Sequence, residues 1–254
     1  MLIQRVIPCL LLSGGGLVKT TKFRDEVYVG DPINAVRIFN DCEVDELVVL
    51  DIHASAKGSG PNYEAIRNIA GECFMPLAYG GGISTLEQVK SVFELGIEKV
   101  ILNSTAIANP DLVSEIAEHF GSQSIIISID IEKSLFGNWR VRNKYNPTAS
   151  TGKPLQFALD MERAGAGEIL LNDCSRDGTM SGLNLSLVTE MSASLSIPLV
   201  AMGGVGCLQD IRNGFLAGAS AVSAGAFCVF KGKHRAVLIS YPSAKDRAKL
   251  LEDL

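Results

Sequence analysis

The chain repeats itself at a fixed interval, and that interval limits its possible folds more than any other feature. Pro76 to Thr105 reads PLAYGGGISTLEQVKSVFELGIEKVILNST, and Pro198 to Phe227 reads PLVAMGGVGCLQDIRNGFLAGASAVSAGAF. Pro76 and Pro198, Gly82 and Gly204, Gly96 and Gly218, and Asn103 and Gly225 all stand 122 residues apart. Each copy is an apolar run after a proline, a glycine turn, a segment of helical period closed by glycine, and a second apolar run. That order is strand, loop, helix, strand, the unit of a parallel sheet. The repeat also extends backwards, since Glu46 to Asp51 (ELVVLD) answers Glu168 to Asp173 (EILLND), and Gly30-Asp31-Pro32 answers Gly152-Lys153-Pro154. Solenoid units are far shorter. The repeat therefore reads as a duplicated half-domain, with halves at about 1–121 and 122–254.

Eight strand candidates follow: Arg5 to Leu11, Glu46 to Asp51, Pro76 to Tyr79, Lys99 to Leu102, Ser124 to Asp130, Glu168 to Asn172, Pro198 to Met202 and Ala221 to Ala224. Each is almost continuously apolar, as a strand covered on both faces must be. Segments of helical period lie between them, among them Pro32 to Asp41, Asn62 to Cys73, Thr85 to Leu95, Asp111 to Phe120, Pro154 to Ala164, Leu185 to Ala193 and Leu208 to Leu216. Eight strands alternating with helices, in two copies of four, predict an α/β fold: a single (β/α)8 TIM barrel, for which 254 residues is an ordinary length. Two long connections follow strands 1 and 5, over Leu12 to Gly30 and Ile131 to Gly152, the second holding the only tryptophan, Trp139. Both are expected as loops over the strand C-terminal ends, where this fold places its chemistry.

A net charge of −5 leaves no electrostatic footprint for nucleic acid or a membrane surface. The N-terminal apolar run is too short to span a bilayer and leads straight into glycines, so it reads as the first buried strand and the protein as cytoplasmic. The six cysteines (Cys9, Cys42, Cys73, Cys174, Cys207 and Cys228) form no CxxC pair and have no histidine beside them. Buried free thiols are the expectation, with no metal.

Phosphate is the ligand the residues favour. Gly80-Gly81-Gly82 with Asn103-Ser104-Thr105, and Gly203-Gly204 with Ala224-Gly225-Ala226, place a glycine turn beside a small-residue strand end in each half, with Asp177-Gly178-Thr179 nearby. Such turns let backbone N–H groups close on an anion. Two of them imply a ligand with phosphate at both ends. Carboxylates come next: Asp130 ends strand 5 after the uncharged run IIISI, Asp51 ends strand 2, and Asp173 and Asp177 follow strand 6. Asp130 is the candidate for acid or base work in an apolar mouth, whereas loop capping suits Asp51 and Asp173 better. At the strand starts stand Arg5, Glu46, Lys99 and Glu168; alternation turns them into the barrel bottom, where two cations and two anions must pair.

With these residues assembled, the chain resembles the HisF family, the cyclase subunits of imidazole glycerol phosphate synthase, over essentially its whole length. RVIPCL, GDP, DELVVLDI, GGGI, NSTAI, the ID ending in Asp130, GAGEILL, RDGT and the second GG carry the likeness. The resemblance implies a barrel that takes ammonia from a HisH-like glutaminase docked on its bottom face and passes it to a phosphorylated substrate at the top, with no cofactor. By the same likeness Arg5, Glu46, Lys99 and Glu168 match an ammonia gate. Gly82, Asn103, Asp177, Gly178, Gly204, Gly225 and Ala226 match phosphate contacts, and Lys19 matches a lysine on the first loop. The family's catalytic pair is an aspartate at the end of strand 1 and another at the end of strand 5. Here Asp130 holds the second position and Leu11 the first, and a leucine can neither take nor give a proton. Asn172 and Met202 also replace smaller hydroxylated residues. The resemblance thus points to a divergent member, similar to subunits of surface-polysaccharide clusters that amidate a nucleotide-linked sugar. The alternatives are imidazole glycerol phosphate formation in histidine biosynthesis, a phosphosugar isomerase of the sister barrel family, and a non-catalytic partner subunit.

Overall fold

A computed structural model describes residues 4–134, 137–143 and 152–252 of the chain. Among them, eight parallel strands close into a barrel: Arg5–Ser13, Leu47–Asp51, Leu77–Gly80, Lys99–Leu102, Ile125–Lys133, Glu168–Asp173, Leu199–Met202 and Ala221–Ala224. Each pairs with its successor, and the first also pairs with the last, Arg5 opposite Ala221 and Ile7 opposite Ser223. Helices cover the outside, so the expected (β/α)8 barrel is what the chain forms.

Alternation along the strands builds two apolar layers. Ile7, Cys9, Leu11, Val48, Ala78, Ile101, Ile126, Leu170, Val200, Met202 and Ala221 fill the barrel interior. Their neighbours Val6, Leu10, Val49, Tyr79, Ile127, Leu171 and Val222 face outward against the helices. The helix Pro32–Asp41 shows why the covering elements form where they do. Asp31 accepts the Asn34 N–H at 3.0 Å, Pro32 occupies the first turn, and Pro32, Ala35, Val36 and Phe39 are the buried stripe. Removing the fully buried Phe39 ring would cost about 3–5 kcal/mol.

The two long connections depart from the expected loops. Leu12 to Gly30 is mostly strand: the first barrel strand runs on to Ser13, and Gly16–Thr21 and Arg24–Gly30 fold back antiparallel as an arm over the barrel mouth. Lys22 and Phe23 turn it in left-handed conformations, at φ of 53° and 62°, which the composition of the segment did not announce. The second connection, expected over Ile131 to Gly152, lies partly outside the described residues; within them, strand 5 extends to Lys133 and pairs antiparallel with Trp139–Val141. The cysteines are free, but only Cys9, Cys174 and Cys228 are buried; Cys42 and Cys73 are half-buried and Cys207 is exposed. No helix among the described residues is long and apolar enough to cross a membrane.

Candidate active site

The glycine turns of the two halves make the same close approach. A Cβ at Gly81 would fall 2.7 Å from the Asp51 carbonyl oxygen, and a Cβ at Gly203 would fall 2.7 Å from that of Asp173. Both glycines also have positive φ, at 139° and 96°, so neither position accepts a side chain without strain. Asp51 and Asp173 brace these turns. Asp51 Oδ1 accepts the His53 and Ala54 N–H groups, while Asp173 Oδ1 accepts from Ser175 and its Oδ2 from Asn184 Nδ2. Loop capping, not proton transfer, is what their geometry serves.

One cavity at the mouth gathers Asp130, Asn172, Leu11, Met202 and Asp177 with the glycine turn of the N-terminal half, Gly80 to Gly82, and Asn103 to Thr105 beside it. The sequence candidates are not all free within it. The Gly82 N–H donates to Ser55 Oγ at 3.2 Å, and Asn103 Nδ2 donates to Asp130 Oδ2 at 3.1 Å and to the Ser128 carbonyl at 3.0 Å. Gly204, Gly225 and Ala226 do not line this cavity. The arm lies against that half: a Cβ on Gly225 would sit 2.9 Å from Lys19 Cε, and one on Gly178 would sit 2.2 Å from the Thr20 carbonyl oxygen.

Lys19 is itself buried, 3% exposed, with Nζ 3.0 and 3.1 Å from the two Asp177 oxygens and 2.9 Å from the Thr20 carbonyl. Thr20 Oγ1 donates to the same carboxylate, and the Lys22 N–H to the Asp177 carbonyl. Across the mouth, the Arg142 guanidinium lies 4.8 Å from the centre of the Phe23 ring, joining the second connection to the arm. Phe23, Thr20, His53 and Arg142 were not among the sequence candidates. Thr20 meets Asp177, Phe23 meets Arg142 and the His53 ring meets Glu26, all far away in the chain, and no local pattern marks them.

Asp130 is a half-buried acid of the site, held by two amides. Loss of water pushes its pKa up to about 6, against the lowering effect of the Asn172 hydrogen bond, the Arg142 charge and the Asn103 hydrogen bond. Asn172 Nδ2 meets Oδ1 at 3.1 Å and Asn103 Nδ2 meets Oδ2, so each carboxylate oxygen is held by one amide. A carboxyl poised there can exchange a proton near neutrality. The position facing it on strand 1 is Leu11, buried and apolar, as the sequence requires.

At the opposite end the four charges close into a ring. Arg5 bonds Glu46 and Glu168, and Lys99 Nζ reaches the same two carboxylates at 2.8 and 3.1 Å. Burial works against the Arg5 charge, but the carboxylates of Glu168 and Glu46 outweigh it and hold its pKa above the usual arginine value.

Comparison with known proteins adds to this geometry. The family described as "Histidine biosynthesis protein" matches residues 5–234. A Pseudomonas aeruginosa protein provisionally named imidazole glycerol phosphate synthase subunit hisF2 is 50% identical over 95% of this chain and 97% of its own. A Leptospira interrogans protein provisionally named subunit HisF is 46% identical over 98% and 99%. A Vibrio vulnificus protein provisionally named subunit hisF3 is 45% identical over 99% and 98%.

Proposed function

Since the chain belongs to the histidine biosynthesis protein family, as a HisF-like synthase subunit, we propose that it receives ammonia from a glutaminase partner docked at the strand starts and delivers it through the barrel to a phosphorylated substrate at the mouth. The acceptor we propose is a nucleotide-linked sugar that gains an amidino group, in surface-polysaccharide synthesis. The observation that carries this choice is Leu11. It lines the cavity with Asp130 and Met202, so the mouth offers an apolar wall where the family's cyclisation uses a second carboxylate. The ring of Arg5, Glu46, Lys99 and Glu168 supports entry at the bottom, since two cations and two anions closed into one ring there suit a gate. Gly82 with Asn103, and Gly204 with Gly225 and Ala226, are the proposed phosphate contacts, the second set becoming reachable when the arm carrying Lys19 lifts from Gly178 and Asp177.

A second reading has its own support. Asp130 and both glycine turns are kept, and the relatives bear the name of imidazole glycerol phosphate synthase. Complementation of a histidine auxotroph separates the two. Failure to grow, with a competent glutaminase supplied, is expected; growth would show that Leu11 is compatible with the ordinary cyclisation and would replace the first reading with the second.

A further inference from the structure

A short basic hairpin follows the eighth barrel strand. Phe230–Lys231 and Ala236–Val237 pair antiparallel, Phe230 opposite Val237, and the turn between them reads Gly232-Lys233-His234-Arg235. Lys231, Lys233 and His234 are exposed, and Arg235 is half-buried. Among the described residues, none of Lys231, Lys233 and Arg235 is paired with a carboxylate, although the chain as a whole has a net charge of −5. The cluster is therefore a local positive field on an acidic protein.

Exposed lysines at a turn are ordinary, but Arg235 is held in place. Its backbone is left-handed, at φ of 51°, a strained conformation for a residue other than glycine that persists only where the surroundings fix it. Two contacts hold the side chain: Nη2 donates to the Gly178 carbonyl at 2.8 Å, and the guanidinium lies 4.8 Å from the centre of the Phe230 ring. A guanidinium carries five N–H donors, so one bond to Gly178 leaves four. Lys231 is steered in a similar way, with Nζ 5.6 Å from the centre of the Phe227 ring.

This places the cations beside the C-terminal half of the mouth. Lys19 packs against Gly225 and binds Asp177, and Gly178, the next residue, meets both Thr20 of the arm and Arg235. Gly225, Lys19, Asp177, Gly178 and Arg235 thus form one line of contacts, from the strand end outward to the hairpin. The N-terminal half is different: the nearest neighbours of Gly82 are Ser55, Gly60 and Ala54, and none carries a charge.

We infer that the hairpin binds the outer phosphate of a diphosphate whose inner phosphate sits at the strand end of the C-terminal half. Arg235 is the fixed donor, because its fork matches two phosphate oxygens at once and the Phe230 ring sets its plane. Lys231 and Lys233 add charge without fixed geometry. A diphosphate is the linkage of nucleoside-diphosphate sugars, so the inference deepens the acceptor proposed above and rests on that reading for the identity of the ligand.

The test titrates the whole protein by calorimetry, in magnesium-free buffer at one ionic strength, with inorganic pyrophosphate and with inorganic phosphate. Pyrophosphate should bind about tenfold more tightly. Arg235→Gly keeps the left-handed turn and removes the guanidinium; it should weaken pyrophosphate binding about tenfold, the loss of a charge-assisted hydrogen bond, and phosphate binding no more than about twofold. Arg235→Lys keeps the charge and should still lose about threefold, since an ammonium cannot make the fork. Amide spectra report whether each variant is folded and where the probe sits, with shifts expected at Gly178, Gly225 and the hairpin. Equal affinity for the two anions, pyrophosphate binding indifferent to both substitutions in folded protein, or shifts confined to Lys233 and His234 would overturn the inference. Growth of the histidine auxotroph would remove the nucleotide-sugar reading without altering these titrations, so the two failures are separately visible.

Discussion

Lys19 and Asp177, 158 residues apart, form a buried ion pair that pins the arm after the first barrel strand to the loop after the sixth. Both side chains are nearly excluded from water, at 3% and 7% exposure. The same lysine packs against Gly225, so the pair also holds the arm against the strand end of the C-terminal half.

Asp177→Asn should therefore free the arm. Removing one partner of a buried pair typically costs about 3–5 kcal/mol, because the other charge stays buried and unpaired. An arm can escape part of that by swinging Lys19 into water. The expected result is a fall in stability nearer the lower figure, with faster hydrogen exchange at residues 16–30. Unchanged exchange there would show that Phe23 and its neighbours hold the arm without the ion pair.

Asp130 should titrate near pH 6, and 13C NMR of labelled aspartate would follow it. Its pKa is raised in the folded protein, so between about pH 4 and pH 6 the native state binds more protons than the unfolded one. Stability from this group is therefore present at low pH and lost as pH rises through its folded pKa. A rise from the ordinary aspartate range to about 6 corresponds to ~3 kcal/mol. Asp130→Asn should accordingly stabilise the protein at pH 7 by up to that amount, with the gain fading toward pH 4. Asn172→Leu should move the Asp130 midpoint higher, since it removes a hydrogen bond that favours the charged form.

Glu168→Gln should disrupt the bottom ring. Glu168 is bonded by both Arg5 and Lys99, so the substitution leaves two cations sharing Glu46. A loss of about 2–4 kcal/mol is expected, below the full cost of a broken buried pair because Arg5 and Lys99 retain some contact with water. Chemical denaturation of Glu168→Gln and of the double variant Glu168→Gln with Lys99→Met would check it: the second change should return part of the loss.

Leu11→Asp would restore a second carboxylate at the mouth. Two carboxyls in one apolar site oppose each other's ionisation, so the Asp130 midpoint should rise and the protein should lose stability at pH 7. If the ordinary cyclisation needs both groups, this variant should gain about 10²–10⁴-fold in that reaction, the usual worth of a positioned acid or base. Product formation from the histidine-pathway substrate with supplied ammonia is the measurement.

The barrel was legible in the residues themselves, because a repeat of strand, glycine turn and helix has one compact solution, and the charges that start four of the eight apolar runs predict which side chains enter its floor. So was the apolar side chain that strand 1 turns into the mouth, since Leu11 stands in an apolar strand whose inward face follows from alternation alone. Local periodicity could not show the arm: its strands at Gly16–Thr21 and Arg24–Gly30 exist because they add to the edge of an extended first strand, a partner many of whose contacts are distant. Nor could it show that Lys19 meets Asp177, that Phe23 meets Arg142, or that Asn172 and Ser223 stand level on either side of Met202. Those relationships depend on the register between strands and on how the arm docks. Both are settled by packing between segments far apart in the chain, where the sequence carries the side chains but not their distances.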